Sequence, residues 1–228
     1  MRKKWGDQWN NHAMGYLLNF GPNPTFKEAL SKAKSQKCLV LGAGHETELV
    51  KKYCQDIIGV NVSREQLQSI KRYGVDVIVC DAQRLPIISC AVDLVVCKST
   101  LHHLNDLNYS VLEIKRVAMN DAYVFLYEPG MLNFVAYLCR KFFPTDIHDP
   151  TEKPFNLNDL RSVLSNNFDI VFEKEFFLIV HVVPVLGKRF KLLTDTRLLK
   201  GICGLDALLC RTFLKKFFWI FVFTLQKK

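Results

Sequence analysis

Five short apolar runs recur along the first 130 residues, at 38–41, 57–62, 75–79, 92–97 and 123–127. Segments of helical composition separate them. Runs this short cannot make stable helices, and their content of Val, Ile and Leu suits strands. They are nearly continuous in apolar character rather than alternating, so both faces of each strand must be covered. Strands spaced by helices, and buried on both sides, predict a doubly wound α/β domain built on a mostly parallel sheet. Such sheets take ligands at the carboxyl ends of their strands, near the point where strand order reverses. The search for function therefore starts at residues 42–44, 61–63, 80–82, 98–103 and 128–130.

The connecting segments fit this frame. Helical composition covers 46–54. Ser63 caps a helix to about Arg72, with Gln66 three positions on as the partner of a capping box. Residues 106–119 have helical periodicity, with Leu107, Val111, Leu112, Ile114 and Val117 on one broad face. Before the first strand, residues 1–35 read as an N-terminal cap, with Thr25 and Glu28 as a capping box for a helix through Lys34. Residues 36–130 form the strand-and-helix core. After Pro129-Gly130 the expected order is a helix at 132–143, a polar loop at 144–154, a helix at 157–165, a strand-rich stretch at 168–180 and a last strand at 218–226. A basic, apolar insertion at about 184–216 precedes that last strand. All 228 residues are read as one domain.

Nearly half the residues are apolar, and the net charge is +9, which suits a folded chain. The charge is concentrated: residues 187–228 hold ten Lys/Arg against two Asp/Glu, a net of +8. A basic end can serve nucleic acid, anionic lipid or an acidic substrate, and it can equally be a solvated face. None of the eight cysteines stands in a C-x-x-C pair, so no metal site is indicated. Cys80 and Cys97 lie in apolar runs as small core residues, which points to reduced thiols and a cytoplasmic setting. Met1-Arg2-Lys3-Lys4 leads into Trp5-Gly6-Asp7-Gln8 rather than an apolar stretch, which is not a signal peptide. The longest apolar run, 217–223, is far short of the roughly 20 residues of a membrane-spanning helix.

Gly42 and Gly44 flank Ala43 at the end of the first run. Glycines permit a tight turn and a close approach by a ligand, and the next helix begins there. About 20 residues on, the second run ends Gly59-Val60-Asn61-Val62-Ser63, where a nucleoside-binding domain faces a ribose. The third run ends Val79-Cys80-Asp81-Ala82, and an exposed Asp at that point can accept a hydrogen bond from an exocyclic adenine amine. The order LGAGH, GVNVS, CDAQRLP, VDLVVCKSTLHHL, VLEIKRVA, YVFLYEPG resembles that of class I, Rossmann-like, S-adenosylmethionine-dependent methyltransferases of the small-molecule type. The resemblance runs from about Cys38 to Gly130.

The resemblance implies a seven-stranded sheet whose last strand is antiparallel, and S-adenosylmethionine as the cofactor. By position, Gly42, Ala43 and Gly44 would wrap its methionyl and ribose portion. Asn61 would meet the ribose hydroxyls and Val62 the adenine. Asp81 would bind the adenine amine, and Ala82 would offer its backbone N–H. Lys98 would line the methionyl end through its backbone, with His102 and His103 near the transferred methyl group. The chain departs from the family pattern at four places. Asn61 replaces an acid, Glu46 the last motif glycine, and Val40 an Asp. Asn120-Asp121-Ala122 stands where a glycine-rich turn is usual.

An oxygen acceptor often needs a base, and His102 and His103 are candidates. Glu128 ends the fifth strand and can face the pocket. His148 lies in the loop 143–155 (FPTDIHDPTEKPF), which resembles a loop of methyltransferases encoded among polysaccharide and glycolipid genes. The expected acceptor is a small, lipid-linked or glycosylated molecule. The insertion, with apolar residues between Lys and Arg, suits a helix in an anionic membrane interface, giving a peripheral location. It suits a helical cap over a substrate pocket equally well. Two other functions stay open: a binding or scaffold protein of the same fold without turnover, and a nucleic-acid methyltransferase. The latter lacks an N/D-P-P-Y motif, a Pro-Cys pair or an added RNA-binding module. A dinucleotide oxidoreductase is disfavoured, because Thr47 stands at the third glycine of G-x-G-x-x-G.

Overall fold

In a computed structural model, the chain is described over residues 37–44, 46–130, 138, 155–176, 196–209, 211–218 and 220–227. Two compact units are present. One comprises Pro24–Glu128, Leu157–Glu173 and Val222–Lys228; the other comprises Met1–Asn23, Pro129–Asn156 and Lys174–Phe221.

Seven strands make one sheet: β1 (Lys37–Leu41), β2 (Asp56–Asn61), β3 (Asp76–Val79), β4 (Val92–Lys98), β5 (Ala118–Pro129), β6 (Asp169–Phe176) and β7 (Ile220–Gln226). Their spatial order is β3-β2-β1-β4-β5-β7-β6. The pairs β1–β2, β1–β4, β2–β3 and β4–β5 are parallel. Strand order reverses between β1 and β4, so the crevice above those two strand ends is the switch point. The helices are α1 (Glu46–Val50), α2 (Arg64–Ile70), α3 (Leu107–Val117), α4 (Leu157–Ser165) and α5 (Thr196–Leu209). The doubly wound sheet expected from the alternation, with the seven strands that the resemblance implies, is therefore present.

The core follows from the apolar runs. Cys38, Leu39, Val40 and Leu41 of β1 and Leu94, Val95, Val96 and Cys97 of β4 are all buried, as a central strand covered on both faces requires. α3 packs Val111, Ile114 and Val117 inward, with Asp106 accepting at its N-cap from Tyr109 N. Leu112, expected on that face, is 51% exposed; the buried face is narrower than the periodicity suggests. α1 ends at Val50, earlier than the expected Cys54, and turns replace its last residues. Cys80 is only partly buried, because β3 lies at the sheet edge.

The link from β5 to β7 carries a bulge. Asp121 N donates to Lys227 O at 3.1 Å, and Lys227 N donates to Ala122 O at 3.0 Å. Two residues of β5 thus face Lys227, the residue after β7, in the antiparallel sense, with Asp121 at φ +62°. A left-handed first residue with this bonding is the G1 bulge, a position that favours glycine. The departure at 120–122 is thereby accommodated by an Asp in a conformation that costs an L-residue some free energy.

The helix at 157–165 and the last strand appear as expected. The expected cap at 1–35, with Thr25 and Glu28, lies outside the described residues. So do the loop with His148 and, apart from Leu138, which is helical, the helix at 132–143.

Candidate functional site

The ends of β1 and β4 are tied together at the switch point. Gly42 sits at φ +67°, and a Cβ there would lie 1.9 Å from Thr100 Oγ1. Glycine is required twice over, by the left-handed turn and by the approach of Thr100. Thr100 Oγ1 donates to Lys98 O at 3.0 Å or to Leu41 O at 3.3 Å. It can reach back because Ser99 turns the chain at φ +49°, with its N–H on Tyr127 O at 2.7 Å. A non-glycine residue held in this region is strained, and such strain clusters at functional sites.

Beyond Gly42 the turn is closed by its own neighbours. Ala43 N donates to Val60 O at 2.9 Å, and Thr47 N donates to Gly44 O at 3.0 Å. Glu46 folds back so that its Oε1 accepts from Gly44 N at 2.5 Å. The family-pattern glycine is thus replaced by a carboxylate that occupies a peptide N–H of the turn. Burial pulls the Lys98 ammonium below its ordinary value, while the Glu46 charge acts to raise it. Lys98 Nζ also lies 5.9 Å from the centroid of the Tyr127 ring. Thr47 is wholly buried behind the turn, and its hydroxyl has no hydrogen-bond partner among the described residues.

Asn61, at the end of β2, spans two segments. Its Nδ2 donates to Ala43 O at 3.1 Å and to Gln66 Oε1 at 2.7 Å, and its Oδ1 accepts from Ser63 N at 2.8 Å. Ser63 Oγ caps α2 through Gln66 N. The reciprocal half of the expected capping box is absent, because Asn61 takes both Gln66 Oε1 and Ser63 N. Toward a ribose diol, Asn61 keeps only the remaining acceptor capacity of Oδ1.

Val62 is 71% exposed and Val79 55% exposed, apolar side chains left open at the ends of adjacent strands. Asp81 is exposed next to them in sequence, and its carboxylate accepts from Gln83 N at 2.9 Å and from Gln83 Nε2. Ala82 is buried. Open apolar surface beside a carboxylate with spare lone pairs fits a purine bearing an amine.

α3 fastens the loop that follows. Gln83 Oε1 accepts from Asp106 N at 3.1 Å, and Glu113 Oε2 accepts from Leu85 N at 2.8 Å. Arg116 donates to Ile87 O at 2.7 Å and to Leu85 O at 2.9 Å, and also pairs with Glu113. The Arg116 guanidinium holds the Glu113 carboxyl below its ordinary range, against the opposing effect of burial and with help from Leu85 N–H.

The histidines sit on a short 3-10 turn, Leu101–His103. Glu128, at 0% exposure, organises it. Its Oε1 accepts from Thr100 N and Leu101 N, both at 2.9 Å, and lies 3.6 Å from Cys97 Sγ. Its Oε2 stands 2.8 Å from His102 Nδ1. His102 is 7% exposed, whereas His103 is exposed; their ring centroids are 4.0 Å apart. Sequence reasoning places Glu128 near a pocket but misses its role as the anchor of the turn, and it misses Thr100 altogether. The signals are the acid ending an apolar strand and a small hydroxyl residue two positions past β4. No described group of His, Cys, Asp and Glu has the geometry of a metal site.

Comparison with known proteins agrees with this fold. Residues 39–126 match the family model described as a methyltransferase domain. A Bacillus subtilis protein described as the uncharacterized methyltransferase YcgJ is 26% identical over 121 residues, covering 47% of this chain and 48% of the relative. The chain's match thus spans about half the length of that curated relative. The crystal structure of YcgJ superposes with a TM-score of 0.60 at 18% identity, covering 89% of this chain and 97% of that one. A SAM-dependent methyltransferase from Methanosarcina mazei gives a TM-score of 0.61 at 17% identity, covering 91% and 99%. The [4+2]-cyclase SpnF gives 0.61 at 16% identity, covering 89% and 80%. With its glycine turn at the β1–β4 switch point, its seven-stranded sheet and its match to a methyltransferase domain over residues 39–126, the chain has the Rossmann-like methyltransferase fold and is similar in sequence to methyltransferases over that stretch.

Proposed function

We propose that this chain transfers a methyl group from S-adenosylmethionine to an oxygen of a small, lipid-linked or glycosylated acceptor. The donor-side residues are Gly42, Ala43 and Gly44 at the turn, Asn61 and Val62 after β2, Asp81 and Ala82 after β3, and Lys98 through its backbone. When bound there, S-adenosylmethionine supplies a methyl group made electrophilic by its sulfonium.

The observation that carries the oxygen-transfer reading is the 2.8 Å contact between Glu128 and His102 Nδ1. A carboxylate accepts, so it selects the imidazole tautomer with the proton on Nδ1. The lone pair is then on Nε2, the atom suited to take a proton from an acceptor hydroxyl. Glu128 does not itself take that proton; it fixes the ring. His103, exposed on the same turn, is a second contact for the acceptor.

The test is transfer of label from methyl-labelled S-adenosylmethionine into alcohol, phenol and glycolipid acceptors. His102→Ala is expected to slow transfer about 100-fold or more, with donor affinity changed less than about threefold. Unaltered transfer by His102→Ala would remove the histidine from the mechanism.

A second reading, a protein of this fold without methyl transfer, is favoured by Glu46 on Gly44 N–H and by the three engaged contacts of Asn61. SpnF, described as a cyclase, has the same fold. Donor binding without label transfer to any acceptor would support it.

A further inference from the structure

We propose that the exposed face of α5, continued through Phe213, docks on an anionic membrane surface. The sequence of this region suits an interfacial helix, and the exposure of its described side chains is what such a helix requires. Leu205 is 47% exposed, Leu208 61% and Phe213 74%.

Among its described side chains, the helix is inverted relative to an ordinary surface helix. Positions 201, 204, 205 and 208 recur at intervals of three and four and so share one face. All four are exposed: Gly201, Gly204, Leu205 and Leu208. A Cβ at either glycine would meet no atom within 4 Å, so no described residue covers this face there. The helix's acid, Asp206, lies about a third of a turn away and is 4% exposed. The outward face thus presents leucines without a negative charge. An ordinary surface helix buries the leucines and exposes the acid.

Charge selects the occupant. Residues 187–216 carry eight Lys/Arg against two Asp/Glu, a net +6, and Arg211 is exposed between Leu208 and Phe213. A second copy of this chain would bring two such segments together against their repulsion. An anionic bilayer answers both features, taking the leucines and Phe213 at its acyl boundary and the cations at its headgroups. No described helix is long and apolar enough to cross a membrane, so the contact is peripheral. The proposal does not depend on methyl transfer.

The experiment is flotation of the full chain with vesicles of phosphatidylcholine alone, and of phosphatidylcholine mixed with phosphatidylglycerol. The wild type is expected to float with the anionic vesicles only, and less so as salt is raised. Combined Leu205→Gln, Leu208→Gln and Phe213→Gln should cut that partitioning by at least about tenfold, the effect of withdrawing one inserted side chain. Circular dichroism should stay as in the wild type, since all three residues are exposed. Arg211→Gln should weaken binding to a lesser extent. No flotation of the wild type overturns the proposal, as does undiminished flotation of the triple variant. So does a dimer, or a nucleic-acid complex, that the triple variant abolishes in place of vesicle binding.

Discussion

Glu128 shows how much one side chain can fix. It is sealed from solvent, yet its carboxylate answers Thr100 N–H, Leu101 N–H and His102 Nδ1. Removing it leaves these donors facing an apolar interior, where an unmade hydrogen bond costs more than a made one gains. Glu128→Ala should therefore destabilise the fold by roughly 3 kcal/mol or more, read as a lower midpoint in urea. Glu128→Gln keeps one acceptor oxygen and should lose less. A change within about 0.5 kcal/mol for Glu128→Ala would contradict its role as the anchor. Gly42 is legible from sequence, because the need for glycine at a tight strand-to-helix turn is local. The glycine's second requirement is not legible, since it comes from Thr100, 58 residues away in sequence. Asn61 is legible as a polar residue at a ribose position. Its commitment to Ala43, Gln66 and Ser63 emerges only when β1, β2 and α2 are placed together.

Among the elements, the strands are the most legible, because continuous burial on both faces leaves a signal in composition alone. Ends are less so: α1 stops at Val50, and β5 begins at Ala118 rather than at Tyr123. The early start of β5 is tied to the bulge at Asp121, a feature of pairing with β7 that no local sequence rule contains. Asp121→Gly should stabilise the protein by about 0.5–1 kcal/mol, since glycine accepts φ +62° without a Cβ penalty; a thermal melt would register the gain. The clamp of α3 on the loop after β3 yields a pH test. The Glu113 carboxyl is held below its ordinary value by Arg116, so its contribution is complete above the unfolded value, about pH 4.3. It is lost as the pH falls through the folded value. Glu113→Gln should cost about 1 kcal/mol at neutral pH, both side chains being partly exposed. The difference from wild type should vanish under acid conditions. A difference that persists there would assign the loss to shape rather than charge.

For the whole molecule, the parallel sheet brings to the carboxyl ends of its strands residues that lie up to 61 positions apart in sequence, from Gly42 to His103. Each strand end supplies one kind of group: a glycine turn from β1, an amide from β2, a carboxylate after β3 and a buried-acid-supported histidine after β4. This division of labour is why the order of motifs is readable in the amino-acid sequence alone. The basic charge and exposed leucines belong to a different part of the chain, and their purpose is ambiguous in sequence because exposure cannot be read from composition. The central claim is that the crevice binds S-adenosylmethionine through Asp81, and calorimetric titration with S-adenosylmethionine and S-adenosylhomocysteine tests it most directly. Saturable binding of both by the wild type is predicted, weakened by about 1–3 kcal/mol in Asp81→Ala, as expected for one hydrogen bond to a charged group lost. A folded wild type that binds neither, or an Asp81→Ala protein that binds as well as wild type, would contradict it.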